Sequence, residues 1–252
     1  MKTNLKILTI SIFCLLLTTT NSNSMPIQLS KIDKQIKALI PKAENGDKEA
    51  IEKVYQLALT DKKILELNSL TSDDPNQFSI LLQNQMEVRH TPDQGGISKT
   101  EHKNFPISDY SAIAWLIYNV HQEHYTPYIY ALSRRYMNVG NIDLAVKWYS
   151  TAYLMAKIDA SRCVDKTAEQ GISIVGSLFA DVKKLMVDDV LNQALKFALE
   201  KEEEFKDRKE PKWICSHGVE ALLGELKYKD KKEWLEERKI IREKFRDYSN
   251  KK

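Results

Sequence analysis

Glycine and proline are scarce: eight and seven in 252 residues, too few to turn the many corners of an all-β protein. Excess charge is also missing. The whole chain carries a formal +3, falling to +1 without Lys2 and Lys6, so neither nucleic acid nor an anionic membrane is an expected partner. Beyond the first seventeen residues no run is apolar enough to span a bilayer. There is no glycine-rich phosphate cradle and no G-x-S-x-G elbow. Long charged segments bearing leucine and alanine predict an all-α fold.

The exception to the polar character is the N-terminus. Lys2 and Lys6 precede an apolar run over 7–17, and small and polar residues follow to Ser24. This is the layout of an export signal over 1–24, and Ser22 and Ser24 place cleavage before Met25. The alternative, an uncleaved anchor, has a run only half the ~20 residues a spanning helix needs. Cys14 lies inside the run and not after it, against a lipid-anchored mature end. The expectation is an exported protein, periplasmic or secreted.

Export changes how the cysteines read. Cys163 and Cys215 are the two that outlast cleavage, and an oxidising compartment favours a disulfide between them. Closing a loop of about 52 residues contributes about 4 kcal/mol in the chain-entropy model. The other readings are two buried thiols, or a reactive Cys215 near His217.

The chain divides into an N-terminal helical hairpin and irregular loop region over 25–108, a helical domain over 109–226 and a charged C-terminal helix over 227–252. In the first, Ser30 caps a helix that Pro41 ends or kinks, and Asp47 caps a second with Ala50, Ile51, Val54, Leu57 and Ala58 inside. Thr60 to Ser108 is looser: two short helices, at 64–70 and 78–86, flank a break at Asp73-Asp74-Pro75, and an exposed loop follows. Asp109 is the expected cap of a helix whose stripe is Ala112, Ile113, Leu116, Ile117 and Val120. Residues 165–187 read as one helix with Ile172, Ile174, Val175, Leu178, Phe179 and Val182 inside. The next, over 188–205, ends in the Glu200–Glu204 run, read as solvated, and a helix is expected at 218–226. In the tail, Trp234, Ile241, Phe245 and Tyr248 form the inward stripe.

Residues 125–157 have small and aromatic residues where two packed antiparallel helices need them. Ser133, Ala145 and Ala152 let backbones approach, Ile129, Leu132, Tyr136 and Tyr149 fill the space, and Gly140 supplies the turn. Leu132, Ser133, Tyr136, Gly140, Ala145, Tyr149 and Ala152 resemble a tetratricopeptide-type repeat, including its Sel-like variant. Ala43 to Ala58, with Gly46 and Ala50, matches about half of another unit. Lys157 stands where that family closes its second helix with proline, and no 34- or 36-residue period recurs. The fold expected is an irregular, solenoid-like array of antiparallel helical hairpins. The resemblance implies a protein or peptide partner on a helical surface, and Tyr128, Arg135, Tyr136, Asn138 and Trp148 are the candidate binding residues.

Chemistry-bearing patterns are sparse. His121 and His124, three apart around Gln122-Glu123, share a helical face but lack a third ligand and the H-E-x-x-H form. Asp73-Asp74 reads as a turn, His90 and His102 as solvated, and Arg134-Arg135 as surface charge or one groove arginine gripping a carboxylate. No catalytic residue, metal or cofactor is expected. The competing functional readings are a helical periplasmic hydrolase, possibly metal-dependent and wall-active, and a structural envelope component.

Overall fold

The computed structural model describes residues 29–70, 81, 107–224 and 226–250. The signal over 1–24 lies outside the described residues, as do Asp73, Asp74, His90 and His102 and all of 71–106 except Leu81. Twelve α-helices and one 3-10 turn have their bounds within the described residues, among which there is no strand. The all-α fold is therefore established.

Two hairpins share one turn chemistry. Helix α1 (Lys31–Glu44) starts at a reciprocal cap: the Ser30 hydroxyl accepts the Asp33 N–H at 3.0 Å, and the Asp33 carboxylate accepts the Ser30 N–H at 3.2 Å. Pro41 does not end it. Proline removes the bond to the Lys37 carbonyl, but Lys37 lies on the exposed side, and the helix runs one more turn. Gly46 then adopts φ +81°, and the Asp47 N–H reaches back to the Lys42 carbonyl at 3.2 Å. The Asp47 carboxylate caps α2 (Lys48–Ala58) through the Ala50 N–H. Helix α3 (Lys62–Asn68) follows, capped by Asp61.

Helix α4 (Asp109–Glu123) is capped by Ser108 and not by Asp109 as expected; the Asp109 carboxylate is instead engaged by Arg135 and Asn138. It is buried over most of its length, as a central helix must be. Helices α5 (Thr126–Asn138) and α6 (Ile142–Ser161) repeat the first turn: Gly140 has φ +75°, the Asn141 N–H bonds the Tyr136 carbonyl at 2.9 Å, and the Asn141 side chain caps α6.

The single helix expected over 165–187 is broken into a 3-10 turn (Lys166–Glu169), α7 (Gln170–Ser177) and α8 (Ala180–Lys183). At the break between α7 and α8, Phe179 sits in the core against Tyr130 and Tyr149, at ring distances of 5.3 and 5.4 Å. Ile174 and Leu178, expected inside, lie off the face shared by Ile172, Val175, Phe179 and Val182 and point outward, 63% and 37% exposed. Helix α9 (Asp188–Glu204) is long, whereas α10 (Lys212–Cys215) and α11 (Val219–Leu222) are single turns, the latter shorter than the 218–226 expected. Helix α12 (Lys231–Ser249) closes the chain.

Packing follows chain order: α1 on α2, α2 on α4, α4 on α5, α5 on α6 and α6 on α9, with α12 laid over α6 and α9. One apolar cluster extends from Ile36 to Cys215, so the N-terminal hairpin and the helices of 109–226 share a core. A smaller cluster of Leu154, Ile158 and Ala198 sits under Ile241 and Phe245 of α12. Cys163 and Cys215 form a disulfide with Cα atoms 5.4 Å apart. Beside it the Val164 N–H bonds the Lys227 carbonyl and the Lys229 N–H the Arg162 carbonyl, at 3.2 and 2.8 Å. The end of α6 is thereby tied both to α10 and to the segment that enters α12.

Candidate binding groove

The residues expected at a binding surface are interior ones. Tyr128, Arg135, Tyr136 and Trp148 are each no more than 3% exposed, and Asn138 is half-buried. Their polar atoms are needed inside. The Tyr136 hydroxyl and, at 3.0 Å, Trp148 Nε1 both donate to the buried Glu44 carboxylate at the end of α1. Burial pushes Glu44 up to about 7, against the two hydrogen bonds and the charge of Lys201, which favour the anion. Arg135 donates to the Leu81 carbonyl and to Asp109, and the Asn138 amide donates to the same Asp109 oxygen. Tyr128 packs edge-on to Trp115 at 5.3 Å. These side chains bind the protein to itself.

Other candidates are likewise engaged. Arg134 forks onto both oxygens of Asp181 at 2.7 and 3.0 Å and lies over the Phe179 ring. His121 Nδ1 is 3.5 Å from Glu204, and burial lowers its pKa. His124, at φ +51°, ends α4, and its Nδ1 is 3.1 Å from the Asp207 carbonyl. Both rings pack against Phe205, so this pair fastens the chain leaving α9. Among the described residues no three His, Cys, Asp or Glu converge as a metal site would require.

Glu200, Glu203 and Glu204 are exposed, as the reading of 200–204 as solvated expects, but Glu202 departs from it. It is fully buried and is met by Arg208, Arg238 and Arg242; Arg238 contacts both carboxylate oxygens, at 3.0 and 2.8 Å. Burial raises its pKa, but the Arg238 hydrogen bond and the three guanidinium charges outweigh that, leaving it below the usual carboxylate value. The cluster pins α12 against α9.

With α12 held there, a groove of about 570 Å³ opens between it, α6 and the start of α9. Tyr149 and Tyr153 from α6, Leu191 and Leu195 from α9, and Ile241 and Phe245 from α12 make its walls apolar. Ile240 and Tyr248 stand at the mouth, 50% and 60% exposed; Tyr248 was expected in the inward stripe, but Arg238 and Arg242 take much of that line. Ser150, in the α6 wall, is 2% exposed, and its hydroxyl has no hydrogen-bond partner. The rim is lysine-rich. Lys157 is paired with Glu169, and Lys229 with Glu237 at 2.8 Å. Lys166 and Lys244 are exposed and have no ion pair among the described residues.

No family model, curated protein or solved structure matches this chain. The groove must therefore be read from its own chemistry. Its volume lies within the ~300–1,000 Å³ of ligand clefts, and its walls are aromatic and aliphatic with few polar groups, as such clefts require. A second cleft of about 260 Å³ lies around Asp159. Its carboxylate is already taken by Thr126, Arg208 and Trp213 at 2.6, 2.9 and 3.1 Å. Composition could not have located the groove, because it joins residues about a hundred positions apart; the i, i+4 spacing of Tyr149, Tyr153 and Lys157 along α6 was the available local signal.

Proposed function

We propose that this protein is an exported interaction module, a helical-hairpin frame that binds a protein or peptide segment in the groove between α6, α9 and α12. The groove carries the reading: it is a large cleft with apolar walls and exposed apolar side chains at its mouth. The Cys163–Cys215 disulfide fits an oxidising compartment, and no helix among the described residues is long and apolar enough to cross a membrane. The matching Gly46 and Gly140 turns support the tetratricopeptide- or Sel-like reading of the two hairpins.

Site-specific photo-crosslinking tests it. A benzophenone side chain placed at Ile240 is expected to capture a discrete protein in envelope extract, and one at Lys53, on the exposed face of α2, is not. Equal capture from both positions, or none from Ile240, would remove the groove as the binding site.

A further inference from the structure

We infer that the occupant of the groove is an amphipathic helix of a partner protein, with acidic residues flanking its apolar face. The inference rests on the groove being the binding site and adds the chemistry of what enters it. Two observations point the same way. The walls come from helices, and among the described residues there is no sheet edge. An extended peptide would find no ladder of backbone donors and acceptors to join, whereas a trough between helices with aliphatic walls suits the helix-in-groove mode, anchored by apolar residues at i, i+3 or i+4 and i+7.

The rim then sets the charge. Lys157, Lys166, Lys229 and Lys244 face Glu169 and Glu237, an excess of two positive charges around the mouth. The acidic residues are already held by Lys157 and Lys229. Lys166, on the 3-10 turn, and Lys244, on α12, come from separate elements and are left to meet carboxylates from outside. Inside, the unpartnered Ser150 hydroxyl is a buried polar group in an otherwise apolar wall. It is enclosed by the wall itself, out of the occupant's reach. Met186, also in the wall, can adjust to side chains of differing shape.

Two labelled 18-residue helical peptides test this. Each carries Leu and Phe at i, i+3, i+4 and i+7; one has Glu on the flanks and the other Lys. They are titrated by fluorescence anisotropy against the whole protein and against its Lys166→Glu/Lys244→Glu variant. Both lysines are exposed, and the far-ultraviolet circular dichroism of the variant checks that it folds.

The glutamate peptide is expected to bind the parent about tenfold more tightly than the lysine peptide, with salt narrowing the gap and the variant reversing the order. Equal binding of both peptides, unmoved by the charge reversal, would overturn the acidic-helix inference and leave the groove as a peptide site. Binding of neither, with no crosslink from Ile240, would overturn the groove reading as well. Two further arms name the rival occupants. Saturable binding of dodecanoate without peptide binding would overturn the inference in favour of a fatty-acyl anion. Sedimentation showing a dimer that Ile240→Glu dissolves would overturn it in favour of a second copy.

Discussion

Glu44 and Glu202 are both buried carboxylates, and their surroundings move them in opposite directions. Burial holds Glu44 near 7, above its ordinary 4.5, because the neutral donors Tyr136 and Trp148 and the Lys201 charge offset only part of the lost hydration. The folded protein therefore binds that proton more tightly than the unfolded chain does. Glu44 thus makes stability fall as pH rises from about 4.5 through 7, by about 3 kcal/mol in all. Glu44→Gln is expected to remove this slope, leaving the variant close to the parent at pH 4.5 and more stable at pH 8; urea denaturation at the two pH values measures it. Glu202 has the reverse sign. Its folded pKa is depressed, so its contribution is present above the ordinary carboxylate range and is lost as pH falls through the folded value. Neither role was legible locally. Glu44 lies in the turn-like Ala43-Glu44-Asn45-Gly46-Asp47, and its partners are 92 and 104 positions away. Glu202 stands in a run of acidic residues that reads as solvated until the arginines of α12 are laid over it. By contrast, the Ser30 and Asp47 caps were plain from sequence because their partners lie three residues on.

At the scale of the element, what could be read was periodicity. The stripes of α2 and α4 and the turn between α5 and α6 follow from apolar spacing and one glycine. What could not be read was competition. Residues 165–187 hold enough apolar side chains for a helix, and the inward face of Ile172, Val175, Phe179 and Val182 is kept although the helix breaks at Leu178 and Phe179. The same holds for α12, whose inward line is shared between Trp234, Ile241 and Phe245 and the arginines that Glu202 recruits. Its attachment is therefore ionic as well as apolar. Glu202→Ala would leave Arg208, Arg238 and Arg242 facing one another without their common anion. A loss of about 3–5 kcal/mol is expected in chemical denaturation. Arg242→Met keeps the stem packing and removes one of the three charges, so it is expected to cost less than Glu202→Ala. Hydrogen exchange would show α12 amides losing protection first.

The whole molecule is an array in which the long helices α1, α2, α4, α5, α6 and α9 pack in chain order until α12 folds back over α6 and α9. The sequence announces hairpins of this kind but not the order in which they stack, nor the return of the last helix, and the groove exists only because of that return. The candidate binding residues were misplaced for the same reason. Aromatic and arginine side chains in a hairpin are equally suited to a surface and to the seam between two hairpins, and here the seam takes them. Reduction of the disulfide, or Cys163→Ala/Cys215→Ala, is expected to lower stability by about 4 kcal/mol while the far-ultraviolet spectrum at 25 °C stays helical. Comparing the urea midpoints of the two forms checks it.

That covalent link has one more consequence. A protease cutting once anywhere between 164 and 214 would sever the backbone yet release nothing, because the halves stay joined through sulfur. Such a nicked molecule would migrate as a single band on a denaturing gel and fall into two only after dithiothreitol.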